Sequence, residues 1–260
     1  MKLLLLGGTA DGRKLAIQLH ASHIPLIYSV AGLVRVPNVG CEIVSGGFSQ
    51  FGGLQHYIRE QNITAILDVT HPYAQKMSST AAQIAKDCDI PYWCFHRLQW
   101  ENDYDDNWLS FTTWPQLLTL LQEQVSFASE QACQLRPFFT VGQLEPQLLT
   151  LLSDSSLASL PQLVRTAVEP KATLLPAMQW IKAIGPFAVD DEITLFEHYG
   201  INALITKNSG GDSTIAKLTA ARILGIPVFM QTRPSLPPAD VEFISRDECH
   251  AFVCQQFLTD

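Results

Sequence analysis

Residues 7–12, Gly-Gly-Thr-Ala-Asp-Gly, follow four consecutive leucines and precede an apolar helical face formed by Ala16, Ile17 and Leu19. A strand–turn–helix unit of this kind holds a phosphate on the unpaired N–H groups and dipole of the helix N-terminus. Gly7, Thr9 and Gly12 stand where G-x-G-x-x-G has its three glycines, with Gly8 between and Thr9 at the middle position. A threonine there keeps the backbone farther from a diphosphate but adds a hydroxyl that can bond it. The same residues also suit a plain tight turn, and both readings stay open on these residues alone.

An absence sharpens the reading. NAD-type sites place a carboxylate about 20 residues past the glycines, at the end of the second strand, to bond the ribose 2′-hydroxyl. Here that strand is Leu26–Val30, and no Asp or Glu occurs between Asp11 and Glu42. Ser29, Gly32 and Arg35 occupy the region instead. If a dinucleotide binds, this set suits the 2′-phosphate of NADP(H) better than NAD.

Three further polar clusters sit where strands end. Asp68-Val69-Thr70-His71-Pro72-Tyr73 closes one apolar run, and His96-Arg97 closes the next. Ligands in open α/β sheets lie outside the carboxyl ends of the strands. His71 can donate to a phosphate or act as an acid, or merely shape the turn before Pro72. Thr206-Lys207-Asn208-Ser209-Gly210-Gly211 gathers a cation, an amide, two hydroxyls and two glycines at another strand end. Such a loop suits an anion, phosphate or carboxylate, but lacks the order of an ATPase P-loop. Thr214 and Lys217 are expected on the first turns of the helix that follows.

No Ser-His-Asp set or G-x-S-x-G appears, and no metal-ligand spacing is present among the six scattered cysteines, Cys41, Cys88, Cys94, Cys133, Cys249 and Cys254. A hydride-transfer enzyme has this character, because its cofactor carries the chemistry. The net charge of −8 and the lack of a Lys/Arg run argue against general nucleic-acid binding. No apolar run approaches the roughly 20 residues of a membrane span. Met1–Leu6 is too short for a signal segment, so a cytoplasmic protein with reduced thiols is expected.

The elements needed to position these groups follow an α/β pattern. Strands are expected at Leu3–Leu6, Leu26–Val30, Cys41–Ser45, Ile63–Val69 and Ile90–Phe95, with an alanine-rich helix from Met77 to Lys86. Paired glycines Gly46-Gly47 and Gly52-Gly53 bracket a loop before a helical face of Leu54, Tyr57 and Ile58. The polar, aromatic stretch from Trp100 to Trp108 reads as a loop anchored by its tryptophans. Helices are expected over Pro115–Glu123, Asp190–His198 and Asp247–Leu258, and strands at Phe138–Gly142 and Leu163–Val168. Further strands fall at Ile201–Ile205 and Ile226–Met230. Ala85, Ile90-Pro91 and Arg97 recur as Ala221, Ile226-Pro227 and Arg233 at identical spacing. The repeat predicts two similar α/β halves, 1–130 and 131–260, with their strand ends facing each other across a cleft and Phe127–Arg136 as the boundary.

Gly7-Gly8-Thr9, Ser29-Val30-Ala31-Gly32, Gly46-Gly47-Phe48, Asp68–Ala74 and Thr206–Gly211, taken in order, resemble the precorrin-6A reductase family of cobalamin biosynthesis, including its cobalt-precorrin form. The resemblance runs from the first strand to about Arg233. It implies two Rossmann-like α/β domains with mostly parallel sheets and a cleft between them, an NADP-binding domain at 1–130 and a substrate-side domain at 131–260, and NADPH-dependent reduction of one double bond in a tetrapyrrole macrocycle. Carried over by motif, the cofactor residues are Gly8, Thr9, Ser29, Gly32, Gly47, Thr70 and His71, and the fingerprint spacing and the missing carboxylate add Gly7, Gly12 and Arg35 to the candidates. Arg97, Lys207, Asn208 and Ser209 are the substrate-binding candidates. His71, Tyr73 and Lys207 are candidates for a catalytic role, with solvent also open as the proton source. The family has Arg directly after Ala-Gly where this chain has Leu33, so Arg35 is the alternative holder of the 2′-phosphate. The usual Gly-Gly-Phe-Gly-Gly is stretched here over residues 46–53. Contact with other enzymes of the cobalamin pathway is the remaining partner expectation. The competing readings are a non-catalytic NADP-binding sensor and an S-adenosylmethionine-dependent tetrapyrrole methyltransferase.

Overall fold

The computed structural model describes residues 1–32, 38–130 and 133–258. Its strands form two six-stranded sheets, and every neighbouring pair is parallel. The first sheet contains β1 (Leu3–Leu6), β2 (Leu26–Val30), β3 (Glu42–Ser45), β4 (Ala65–Asp68), β5 (Tyr92–Phe95) and β12 (Val241–Phe243), in the order β12-β5-β4-β1-β2-β3. Its helices are α1 (Ala10–Ala21), α2 (Leu54–Glu60), α3 (Gln75–Asp87) and α8 (Arg246–Leu258). The second sheet contains β6 (Trp108–Phe111), β7 (Pro137–Thr140), β8 (Gln162–Thr166), β9 (Met178–Lys182), β10 (Ala203–Lys207) and β11 (Val228–Gln231). Its order is β6-β11-β10-β7-β8-β9, with α4 (Trp114–Glu130), α5 (Pro146–Ser153), α6 (Val189–Tyr199) and α7 (Ala216–Ile223).

Strand period and helix cover agree. Successive side chains of a strand point to opposite faces, and a parallel sheet buries both. Leu3 and Leu5 pack with Leu15 and Leu19 of α1 and Val253 of α8. Leu4 and Leu6 pack with Leu54 and Ile58 of α2 and Ala81 of α3. In the second sheet Phe139 and Ile205 face Leu117 of α4 and Leu148 of α5, whereas Phe138 and Leu204 face Phe196 of α6 and Leu218 of α7. Each unit is therefore a helix–sheet–helix sandwich.

The repeat read in the sequence is a physical repeat. The Ile90 N–H donates to the Ala85 carbonyl at 3.0 Å, and the Ile226 N–H donates to the Ala221 carbonyl at 2.8 Å. Both alanines are buried under the sheet they help to cover. Each Ile-Pro step then feeds a buried strand, β5 or β11.

The domain boundaries differ from the expected ones. The compact units are Met1–Leu98 with Pro234–Asp260, and Gln99–Arg233. The stretch at 127–136, expected as the boundary, lies wholly within the second unit. The chain instead passes between units next to Trp100, and its tail returns to the first unit as β12 and α8. β12 pairs with β5, Trp93 opposite Val241, and the Tyr92 N–H donates to Asp240 Oδ2 at 2.8 Å. The expected strand ends hold within a few residues, but β6, β9, β12 and α5 were not anticipated. The Trp100–Trp108 stretch is a loop fixed by a bidentate pair from Arg222 to Asp106, both contacts at 2.9 Å, and β6 begins at Trp108.

Candidate functional site

The turn after β1 is built from three small residues with three different duties. A Cβ on Gly7 would lie 2.1 Å from the Tyr28 ring, so only glycine lets β2's tyrosine cross the strand exit. The Tyr28 hydroxyl then accepts the Gly8 N–H at 3.2 Å. Gly8 has φ +105°, and among the described residues nothing lies within 4 Å of where its Cβ would be. Positive φ disfavours any side chain there, and the open space lets a ligand approach the backbone. Gly12 sits with its would-be Cβ 3.3 Å from Gly7 Cα, the close helix–strand approach that the last glycine of such a turn permits.

Thr9 has a structural duty. Its hydroxyl accepts the Gly12 N–H at 3.0 Å as the N-cap of α1 and donates its hydrogen to the Val69 carbonyl at 3.0 Å. The hydroxyl caps the helix and ties the β1 exit to the β4 exit.

The other first-unit candidates gather along the same sheet edge. Ser29 is buried near the end of β2, and its carbonyl accepts the Gly7 N–H at 2.8 Å. Gly32 is exposed, and among the described residues nothing lies within 4 Å of its would-be Cβ. Arg35 falls outside the described residues. Gly47 precedes a short 3-10 turn over Phe48–Phe51, its would-be Cβ meeting only Ser49 Oγ at 3.6 Å. Thr70 Oγ1 and Ser78 Oγ lie 3.4 Å apart. The Tyr73 N–H donates to His71 Nδ1 at 3.3 Å, and the two rings are 5.6 Å apart.

Asp68, at the end of β4, is a buried carboxylate absent from the candidate set. It accepts the Thr70 N–H at 2.9 Å and the Tyr92 hydroxyl at 2.7 Å, and so shapes the loop carrying Thr70 and His71. Burial, followed by the Asp68 charge, drives the Tyr92 phenol far above its ordinary range, so it stays a donor. The signal in the sequence was a lone carboxylate ending an apolar strand. Arg97, just past β5, pairs with Asp11 of α1 at 3.3 Å, and Arg246 of α8 lies 3.7 Å from the other oxygen.

In the second unit Lys207 ends β10, and burial lowers its pKa against the opposing pull of Glu145. Asn208 is a brace: its amide accepts the Trp100 N–H at 2.9 Å and donates to the Trp100 carbonyl at 3.0 Å. The Ser209 N–H returns to the Lys207 carbonyl at 2.8 Å. A 3-10 turn over Asp212–Thr214 intervenes before α7, so Thr214 precedes that helix rather than lying on it.

Sequence reasoning missed a buried charged cluster at this edge. The Arg165 guanidinium stacks on Phe187 at 4.0 Å and Phe138 at 5.0 Å, and makes a two-pronged pair with Glu192. Lys217, in the first turn of α7, donates to Thr140 Oγ1 at 3.1 Å and lies 5.6 Å from the Trp100 ring. Burial foremost, then the like charge of Arg165, pulls Lys217 down to about 7, against the pull of Glu192. An arginine inside the apolar run Leu163–Thr166 was the available signal. Among the described residues no three His, Cys, Asp or Glu side chains converge as metal ligands, and no helix is long and apolar enough to cross a membrane.

The family described as "Precorrin-6x reductase CbiJ/CobK" matches residues 2–253. A precorrin-6A reductase of Rhodococcus erythropolis is 36% identical over 240 residues, covering 92% of this chain and 91% of the relative. A cobalt-precorrin-6A reductase of Priestia megaterium is 28% identical over 267 residues, covering 97% and 98%. A solved structure titled "CobK precorrin-6A reductase" superposes with a TM-score of 0.82 at 26% identity, covering 98% of this chain and 96% of that one. The chain belongs to the precorrin-6x reductase (CbiJ/CobK) family, and so to the oxidoreductases of cobalamin biosynthesis.

Proposed function

We propose that this protein reduces one double bond of the precorrin-6A macrocycle, or of its cobalt form, with NADPH held across the Gly7–Gly12 turn. The observation that carries the cofactor's place is Gly8: positive φ, free space above it, and a flanking tyrosine that fixes the backbone. That cradle fits a diphosphate at the N-terminus of α1. When bound, the reduced nicotinamide supplies hydride.

The protein's own groups do the rest. Gly7, Gly8 and Gly12 shape the cradle, and Thr9 caps it. Ser29, Gly32 and Gly47 lie on the β2 and β3 side, toward the adenosine half, and Thr70 and His71 on the β4 side, toward the nicotinamide. The absence of a carboxylate between Asp11 and Glu42 favours the 2′-phosphate, with Arg35 as its proposed partner. Arg97, on the β5 side, and Lys207 with Ser209 are proposed to take carboxylates of the macrocycle by charge-assisted hydrogen bonds. This reconciles an acidic chain with an anionic substrate through local cations. Asn208 acts by holding Trp100. A proton must reach the carbon beside the one receiving hydride; His71, Tyr73, Lys207 and solvent are its candidate sources. The setting of this chemistry is proposed to be the cytoplasm.

Fluorescence titration with NADPH, NADH and S-adenosylmethionine tests this reading. Tighter binding of NADPH than of NADH, and none of S-adenosylmethionine, is expected. Equal affinity for the two nicotinamides would overturn the 2′-phosphate assignment.

A further inference from the structure

Asp11 stands in the first turn of α1, beside the cradle, where a lone carboxylate would repel an incoming oxyanion. It is not alone. Arg97 reaches it from the exit of β5 and Arg246 from the start of α8, at 3.3 and 3.7 Å on different oxygens. Asp11 and Arg97 are largely shielded, with side-chain exposures of 19% and 15%; Arg246 is at 36%. Three elements distant in sequence therefore meet on one carboxylate, two guanidinium groups to one anion. The order β12-β5-β4-β1-β2-β3 places both arginines on the side of β1 away from β2, and so away from the adenosine half of a cofactor.

We propose that Asp11 is a positioning residue: its carboxylate holds the Arg97 guanidinium in the orientation that receives an oxyanion of the ligands, a macrocycle carboxylate or the cofactor diphosphate. This rests on the reading that Arg97 meets a ligand. Arg246 secures the far side of the same carboxylate through the tail that joins the first sheet. A planar guanidinium has a fixed fork of donors, so fixing its plane sets where an oxyanion can sit.

The sign of the effect separates positioning from bulk charge. Removing a negative charge near an anion site tightens anion binding if only Coulomb's law acts. Under positioning, Asp11→Asn weakens it, by about tenfold, and Asp11→Glu recovers most of the loss. NADPH titration and the KM for precorrin-6A tell diphosphate from carboxylate by which of the two moves. Arg97→Ala is expected to weaken the same ligand, and Asp11→Asn to add less than twofold in that background. Unchanged or tighter binding in Asp11→Asn, with Arg97→Ala weakened, would overturn the positioning role alone. No effect from Arg97→Ala on either ligand would overturn the reading beneath it as well. If Asp11→Asn does not fold, the same cycle run with Asp11→Ala decides: binding that weakens in the wild-type background but not with Arg97→Ala supports the proposal, and equal shifts in both, or no shift in either, contradict it.

Discussion

Gly8→Ala isolates the cradle from the fold. The substitution meets no atom of the described residues, none of which lies within 4 Å of the added methyl. Its structural cost is therefore the backbone strain of holding alanine at φ +105°, about 1–3 kcal/mol. For a chain of this size that lowers Tm by about 2–12 °C. The methyl also fills the space through which a diphosphate would approach. If NADPH lies there, its Kd rises at least tenfold, about 1.4 kcal/mol or more. Gly7→Ala is the contrasting control. Its methyl would fall 2.1 Å from the Tyr28 ring, an overpacking cost of about 1–3 kcal/mol felt by β2 whether or not a ligand is bound. Differential scanning fluorimetry and NADPH fluorescence titration on the two variants check both halves. Gly8→Ala with the expected loss of Tm but an NADPH affinity within twofold of wild type would refute the placement.

Glu192→Gln strands the buried Arg165 guanidinium, and denaturant unfolding should show a loss of about 3–5 kcal/mol; less than about 1 kcal/mol would mean the pair adds nothing. Lys217 is neutral in the folded protein above about pH 7 but protonated in the unfolded chain up to about its ordinary 10.5, so the unfolded state binds more protons across that window. Its contribution to stability therefore rises with pH from about 7 to 10. The difference in unfolding free energy between wild type and Lys217→Met should grow in that direction, with a flat difference contradicting it. Buried thiols and phenols such as Cys249, pushed up to about 12, oppose the trend in both proteins and cancel in the difference. Lys207→Ala is expected to raise the KM for the tetrapyrrole about tenfold while leaving the NADPH Kd unchanged; steady-state kinetics showing the reverse would move Lys207 to the cofactor.

Local order was legible in the sequence where one segment carries its own signal. The leucines of β1 announce a strand buried on both faces, and the Ala–Ile-Pro–Arg spacing announces a unit used twice. What sequence could not show is which sheet edge a strand joins. β12 and β6 are short, and their pairing with β5 and β11 is decided by contacts far along the chain, so a boundary drawn from local polarity at 127–136 fell inside the second unit. The site divides in the same way. The glycine spacing marked the β1–α1 turn, but the duties of its residues were set by Tyr28, which the β1–β2 register brings over Gly7. Thr9 and Asn208 have the residue types that bind ligands, and the fold also uses their side chains to hold Val69 and Trp100, a duty no local signal announces. Arg165 escaped notice because it is a lone polar residue in an apolar run, and the partners of Asp68, Arg165 and Lys217 all lie on other elements, so their duties could not be read from position alone.

Anaerobic turnover with precorrin-6A and NADPH tests the central claim most directly. One cofactor should be oxidised for each macrocycle reduced, followed as loss of nicotinamide absorbance against the change in the tetrapyrrole spectrum. A protein that binds both ligands but leaves the nicotinamide reduced would contradict the account.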